Sequence, residues 1–201
     1  MNYIITGVGG QGTVLASKLI ADTLMERGEK VRSAETIGMA QRGGSVVSHI
    51  RTGPAMSPLV PKGYADVLIG FEPAEAARCL PYLKRNGVAI ISVSPVKPVT
   101  SSLEDNYHLN EILDFLKNAS QKTLMVEGNE LCAEVGNSKV LNVCLLGVAA
   151  NSGCLGITIE EMQSTLKRRI PPKLLDINNK ALKIGASAPL VLGNTYLDDL
   201  T

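Results

Sequence analysis

The stretch Ile4-Ile5-Thr6-Gly7-Val8-Gly9-Gly10-Gln11-Gly12-Thr13 joins a short apolar run, a glycine turn and an amphipathic pattern, the build of a cradle for phosphate or another anion. Glycines at 7, 9 and 12 permit a tight turn, close backbone approach to the anion and close helix–strand packing, while N–H groups at the helix start face the charge. Gln11 and Thr13 stand where their side chains could add hydrogen bonds. A second loop, Gly38-Met39-Ala40-Gln41-Arg42-Gly43-Gly44, is equally rich in glycine and carries one fixed cation. The guanidinium of Arg42 suits phosphate or carboxylate. The same residues admit other readings. Glu35 stands near the place where a dinucleotide-binding unit keeps the acid for the ribose hydroxyls, which would make the turn a NAD or flavin site. The glycine loops could also be turns at a subunit interface.

Little else in the chain has the spacing that chemistry requires. Cys79, Cys132, Cys144 and Cys154 are scattered among apolar residues and form no Cys-x-x-Cys pair, so buried thiols are expected and no zinc or iron–sulfur framework. His49 and His108 stand apart, and Lys167-Arg168-Arg169 closes an expected helix, where cations complement the dipole. Glu72 and Glu75 fall at a helix start, which explains them electrostatically. No Ser/His/Asp or Cys/His pair is readable, and no catalytic residue is assigned.

The elements that must hold the two loops follow from periodicity. Strands are expected at 3–6, 30–34, 45–51, 66–71, 87–93 and 123–126; helices at 11–27, 73–85, 108–118, 129–136, 140–154 and 158–167, and from Pro171-Pro172 to about Ile184. Gly28 ends the first helix, and Thr158 with Glu161 reads as a capping box. The first strand, helix and second strand have the length of a parallel crossover. Alternating strands and helices indicate an α/β fold: a three-layer, mostly parallel Rossmann-like sheet with helices on both faces. One domain over 1–201 is expected, with a helical C-terminal part at about 127–185 and an irregular tail at 186–201.

Composition narrows the partners. Of 201 residues, 20 are Lys or Arg and 19 Asp or Glu, so a net charge of +1 gives no field for nucleic acid or a membrane surface. Two Phe, five Tyr and no Trp leave an aliphatic core and few stacking platforms for single strands. No apolar run approaches the roughly 20 residues of a membrane span. The scattered thiols and the lack of a signal peptide point to the cytoplasm.

Three ordered motifs resemble a known family: Gly7-x-Gly9-Gly10-Gln11-Gly12, then Gly38-Met39-Ala40-Gln41-Arg42-Gly43-Gly44-Ser45-Val46, then Gly70-Phe71-Glu72-Pro73-x-Glu75-Ala76. They look like the gamma-type domain of 2-oxoacid:ferredoxin oxidoreductases, most of all the small beta subunits of the indolepyruvate type. The motifs cover the first 80 or so residues; the remainder matches in length and helical character. The resemblance implies a subunit, inactive alone, of a complex that decarboxylates a 2-oxoacid, passes electrons to ferredoxin and transfers the acyl group to coenzyme A. It places thiamine diphosphate and iron–sulfur clusters on a larger partner, and gives this chain no cofactor of its own. Gly7, Gly9, Gly10, Gln11, Gly12, Thr13, Gly38, Arg42, Gly43 and Gly44 would then line a coenzyme A or substrate crevice. Ile37 stands where the indolepyruvate branch commonly has histidine, which leaves the 2-oxoacid open.

Overall fold

The computed structural model describes residues 1–38, 44–96, 107–119, 122–189 and 191–192. The first strand, β1 (Asn2–Val8), feeds the glycine turn and helix α1 (Thr13–Glu26), followed by β2 (Val31–Ile37) and β3 (Ser45–Thr52). Then come β4 (Ala65–Gly70), α2 (Pro73–Cys79), β5 (Leu83–Ser92), α3 (Leu109–Ala119), β6 (Thr123–Val126), α4 (Gly128–Val135), α5 (Leu141–Asn151), α6 (Ile159–Arg169), α7 (Pro172–Ala186) and β7 (Val191–Leu192). Among the described residues the strands form one sheet in the order β2-β3-β1-β4-β5-β6-β7.

The sheet differs from expectation at both edges. β3 enters between β1 and β2 and pairs antiparallel with each, so the first crossover joins strands of like direction that are not neighbours. From β1 the ladder runs parallel through β4, β5 and β6, and β7 returns antiparallel on β6. β1, β2, β4, β5 and β6 thus share one direction against β3 and β7. The expected irregular tail contains that last strand. The expected helix over 73–85 stops at Cys79, passes through a 3₁₀ turn at Leu80–Tyr82 and becomes β5 at Leu83. Pro81 explains the stop, because its ring would strike the carbonyl of Ala77 in a continued α-helix.

Alternating strand residues feed two aliphatic cores, one on each face of the sheet. Ile5, Ile69 and Ile90 join α1, α5, α6 and α7 in one; Ile4, Leu68 and Ile91 join α2 and α3 in the other. α5 is buried along nearly its whole length from Asn142 to Ala150. The capping box at α6 is present: Thr158 Oγ1 accepts from Glu161 N–H at 3.2 Å, and Glu161 Oε2 accepts from Thr158 N–H at 2.8 Å. The basic run that follows binds α1, Arg168 pairing with Glu26 and Arg169 with Asp22 at 2.7 Å. No helix among the described residues is long and apolar enough to cross a membrane.

His49 is a structural residue. It is buried in β3, its ring lies edge-on to Tyr82 with centroids 5.5 Å apart, and Nδ1 accepts the Val60 N–H at 3.2 Å. Burial lowers its pKa below the ordinary 6.5, and protonation would remove the acceptor. The unfolded chain therefore takes up this proton more readily than the folded one, and stability falls as pH drops below about 6.5. Urea midpoints measured from pH 7.5 to 5.5 should decline in the native protein and decline less in His49→Gln.

Candidate ligand crevice

The two cores locate the site. α1 follows β1 onto one face, whereas α2 follows β4 onto the other. β1 and β4 are hydrogen-bonded neighbours, so the carboxyl ends of this pair form the topological switch point, where open α/β sheets place their ligands. The glycine turn leaves β1 here, and Gly70-Phe71-Glu72 leaves β4.

Hydrogen bonds join all three sequence motifs at this point. Gly9 N–H donates to Gly44 O at 2.8 Å, which sets one end of the second glycine loop beside the first; Gly38 N–H donates to Ser45 O at 2.8 Å and joins the two ends of the second loop to each other. Gln11 bridges the turn to β4: Val8 N–H donates to its Oε1 at 2.8 Å, and its Nε2 donates to Phe71 O at 2.9 Å. These two bonds rivet the turn to the end of β4 and leave the amide one further N–H and one further lone pair. Thr13 is buried, and its Oγ1 has no hydrogen-bond partner among the described residues. Beside it, backbone N–H groups in the first turn of α1 have no carbonyl of their own helix to bond.

Sequence reasoning missed three contributors. Asn142, at the start of α5 and buried, donates from Nδ2 to Gly12 O at 3.4 Å, and its Oδ1 accepts the Val143 N–H at 2.9 Å. α5 therefore begins against the start of α1. A lone Asn inside the apolar run Val140-Leu141-Asn142-Val143-Cys144 was the available signal. The others are Ser45 and Glu75, joined by a hydrogen bond of 2.6 Å. Of the expected lining residues, Gly7, Gly9, Gly10, Gln11, Gly12, Thr13 and Gly44 come to this corner; Gly38 follows β2, on the other side of β3 from β1; Arg42 and Gly43 lie outside the described residues.

The dinucleotide reading loses its acid. Glu35 lies on β2, paired with Ser48 of β3, which in turn pairs with Ile5 of β1. Two strand spacings, about 10 Å, separate it from the strand that feeds the turn. No group of three or more His, Cys, Asp or Glu residues that could hold a metal comes together among the described residues.

Comparison with known proteins bears on the family and the fold. Residues 2–188 match the family model of pyruvate ferredoxin/flavodoxin oxidoreductase. The chain is 36% identical over 187 residues to indolepyruvate oxidoreductase subunit IorB of Archaeoglobus fulgidus, covering 92% of this chain and 93% of that one. The fold resembles pyruvate oxidoreductase subunit PORC from Thermotoga maritima (TM-score 0.72, 16% identity, 96% and 98% of the two chains). It also resembles part of 2-oxoglutarate:ferredoxin oxidoreductase from Magnetococcus marinus, solved with 2-oxoglutarate, coenzyme A and succinyl-CoA bound (TM-score 0.68, 15% identity, 92% of this chain and 30% of that one). The chain belongs to the pyruvate ferredoxin/flavodoxin oxidoreductase family, as a subunit of a 2-oxoacid:ferredoxin oxidoreductase.

Proposed function

We propose that this subunit serves an indolepyruvate-type complex in which a larger partner carries thiamine diphosphate and iron–sulfur clusters, decarboxylates the 2-oxoacid and passes electrons to ferredoxin. This chain supplies a crevice at the β1/β4 switch point for coenzyme A or the 2-oxoacid, and holds no catalytic residue of its own. The observation that carries the reading is the Gly9 to Gly44 hydrogen bond of 2.8 Å, which brings the two glycine loops into one wall. The identity to the Archaeoglobus fulgidus subunit supports the indolepyruvate type. The Magnetococcus marinus enzyme supports coenzyme A, since about a third of its chain has this fold and its structure contains that ligand. Cys79, Cys132, Cys144 and Cys154, none joined in a disulfide, suit a reducing compartment, and we place the complex in the cytoplasm.

The test is co-purification followed by kinetics. The native protein should run with a larger subunit containing thiamine and iron, and the isolated chain should be inactive. Arg42→Ala should raise the apparent KM for coenzyme A or the 2-oxoacid about tenfold, the loss expected for one charge-assisted hydrogen bond. An intact complex with both KM values unchanged would leave the glycine loops as scaffold.

A further inference from the structure

Glu72 is fully buried and Glu75 only 2% exposed, an expensive placement for two carboxylates three residues apart unless both are satisfied. Glu72 is accounted for by capping: its Oε2 accepts the Glu75 N–H at 2.8 Å, and the Tyr107 hydroxyl donates to Oε1. Burial raises its pKa above the usual carboxylate value. Glu75 is not a cap. Its side chain leaves α2 for the start of β3, where Oε2 accepts the Ser45 hydroxyl at 2.6 Å, while Oε1 takes Arg78 at 2.5 Å. Arg78 is 67% exposed; a pair with it alone would give no reason to bury the acid.

Ser45 directly follows Gly44, whose carbonyl accepts the Gly9 N–H, and its own carbonyl accepts the Gly38 N–H. The hydrogen bonds therefore close a ring. It runs from Gly9 to Gly44, along the chain to Ser45, across to Glu75 and Glu72, along to Phe71, and through Gln11 back to Val8 and Gly9. Every motif of the crevice is in the ring, and the Ser45–Glu75 bond is the side-chain link that ties β3 to α2.

We propose that Glu75 is a positioning residue which, acting through Ser45, holds Gly44 against Gly9 and so sets the affinity of the crevice for its anionic ligand. This rests on the crevice reading above. Loss of the link lets the Gly44 side of the wall shift, and first-turn amides gain their strength from fixed placement.

The test uses the assembled oxidoreductase. Ser45→Ala should raise the apparent KM for the crevice ligand, coenzyme A or the 2-oxoacid, about five- to tenfold with kcat retained. Ser45→Thr, which keeps a hydroxyl, should restore it. Ser45→Ala combined with Glu75→Gln should be no worse than Ser45→Ala alone, because both cut one link. The proposal is overturned if Ser45→Ala leaves both KM values unchanged. It is also overturned if the variant only lowers kcat and Tm together without recovery in Ser45→Thr, the mark of a folding defect. Gly12→Ala separates the two claims. If it raises KM while Ser45→Ala does not, the crevice stands and Glu75 has no positioning role; if neither moves KM, both claims fall.

Discussion

Gly185→Ala should reduce unfolding free energy by about 2–3 kcal/mol, near the upper end of overpacking effects, even after alanine's helix-propensity gain of about 1 kcal/mol. A Cβ at Gly185 would sit 1.9 Å from Cys144 O, 2.7 Å from Cys144 C and 3.0 Å from Cys144 Cα. All three are backbone atoms of α5, so no rotamer change relieves the clash and the two helices must separate. The contact is reciprocal, since α5 presents its own glycine, Gly147, to the Leu182 carbonyl of α7. α5 has almost no exposed surface through which to shift. Its first turn also carries Asn142, so displacement of α5 reaches the glycine turn through Gly12. Chemical denaturation of the isolated subunit should show the lowered midpoint with an unchanged m-value. An unaltered midpoint would mean that α5 and α7 are not packed backbone to backbone.

How much of this was readable in advance depends on the range of the interactions. β1, β4, β5 and β6 carry apolar runs that mark them as strands whatever their neighbours, and Thr158 with Glu161 announces a cap within four residues. The direction of β3 was not readable, because Ser45–Thr52 has the same composition whether it enters the sheet beside β2 or between β2 and β1. Val191–Leu192 is too short to show a period, and only pairing with Met125 and Leu124 makes it a strand. The start of β5 was hidden by its half-exposed residues, although Pro81 marked the end of the preceding helix. The glycines of the turn after β1 were legible because backbone geometry constrains residue type locally. Asn142 and Gly12 meet across 130 positions, and Ser45 and Glu75 across 30. Such pairings are decided by the fold. Gln11 shows the converse: its type and place were visible in the sequence and its bonds to Val8 and Phe71 were not, because an amide at a helix start serves a ligand or the next strand equally well.

Gly12→Ala should act on both stability and binding, and a second substitution can separate the two causes. Gly12 caps α1 in the left-handed region, φ 81° and ψ 26°, where a side chain costs about 1–2 kcal/mol. Its Cβ would also lie 2.4 Å from Asn142 Nδ2 and 3.0 Å from Asn142 Cγ. The side chain of Asn142 cannot simply swing away, because it is buried and its Oδ1 holds the Val143 N–H at the start of α5. Gly12→Ala should therefore cost about 2–3 kcal/mol in stability, the backbone penalty plus a steric term. In the assembled complex it should raise the apparent KM of the crevice ligand tenfold or more, because the crevice proposed here would hold the anion at the first turn of α1 and small displacements of such donors are costly. Asn142→Ala alone should be milder on KM, as it opens space without moving Gly12. The double variant Gly12→Ala/Asn142→Ala should lose less stability than the sum of the two single changes, because the added methyl then occupies the space the amide has left. What remains is the left-handed backbone penalty. Strictly additive losses would show that Gly12 and Asn142 do not touch, and that the starts of α1 and α5 meet at this corner without shaping the site together.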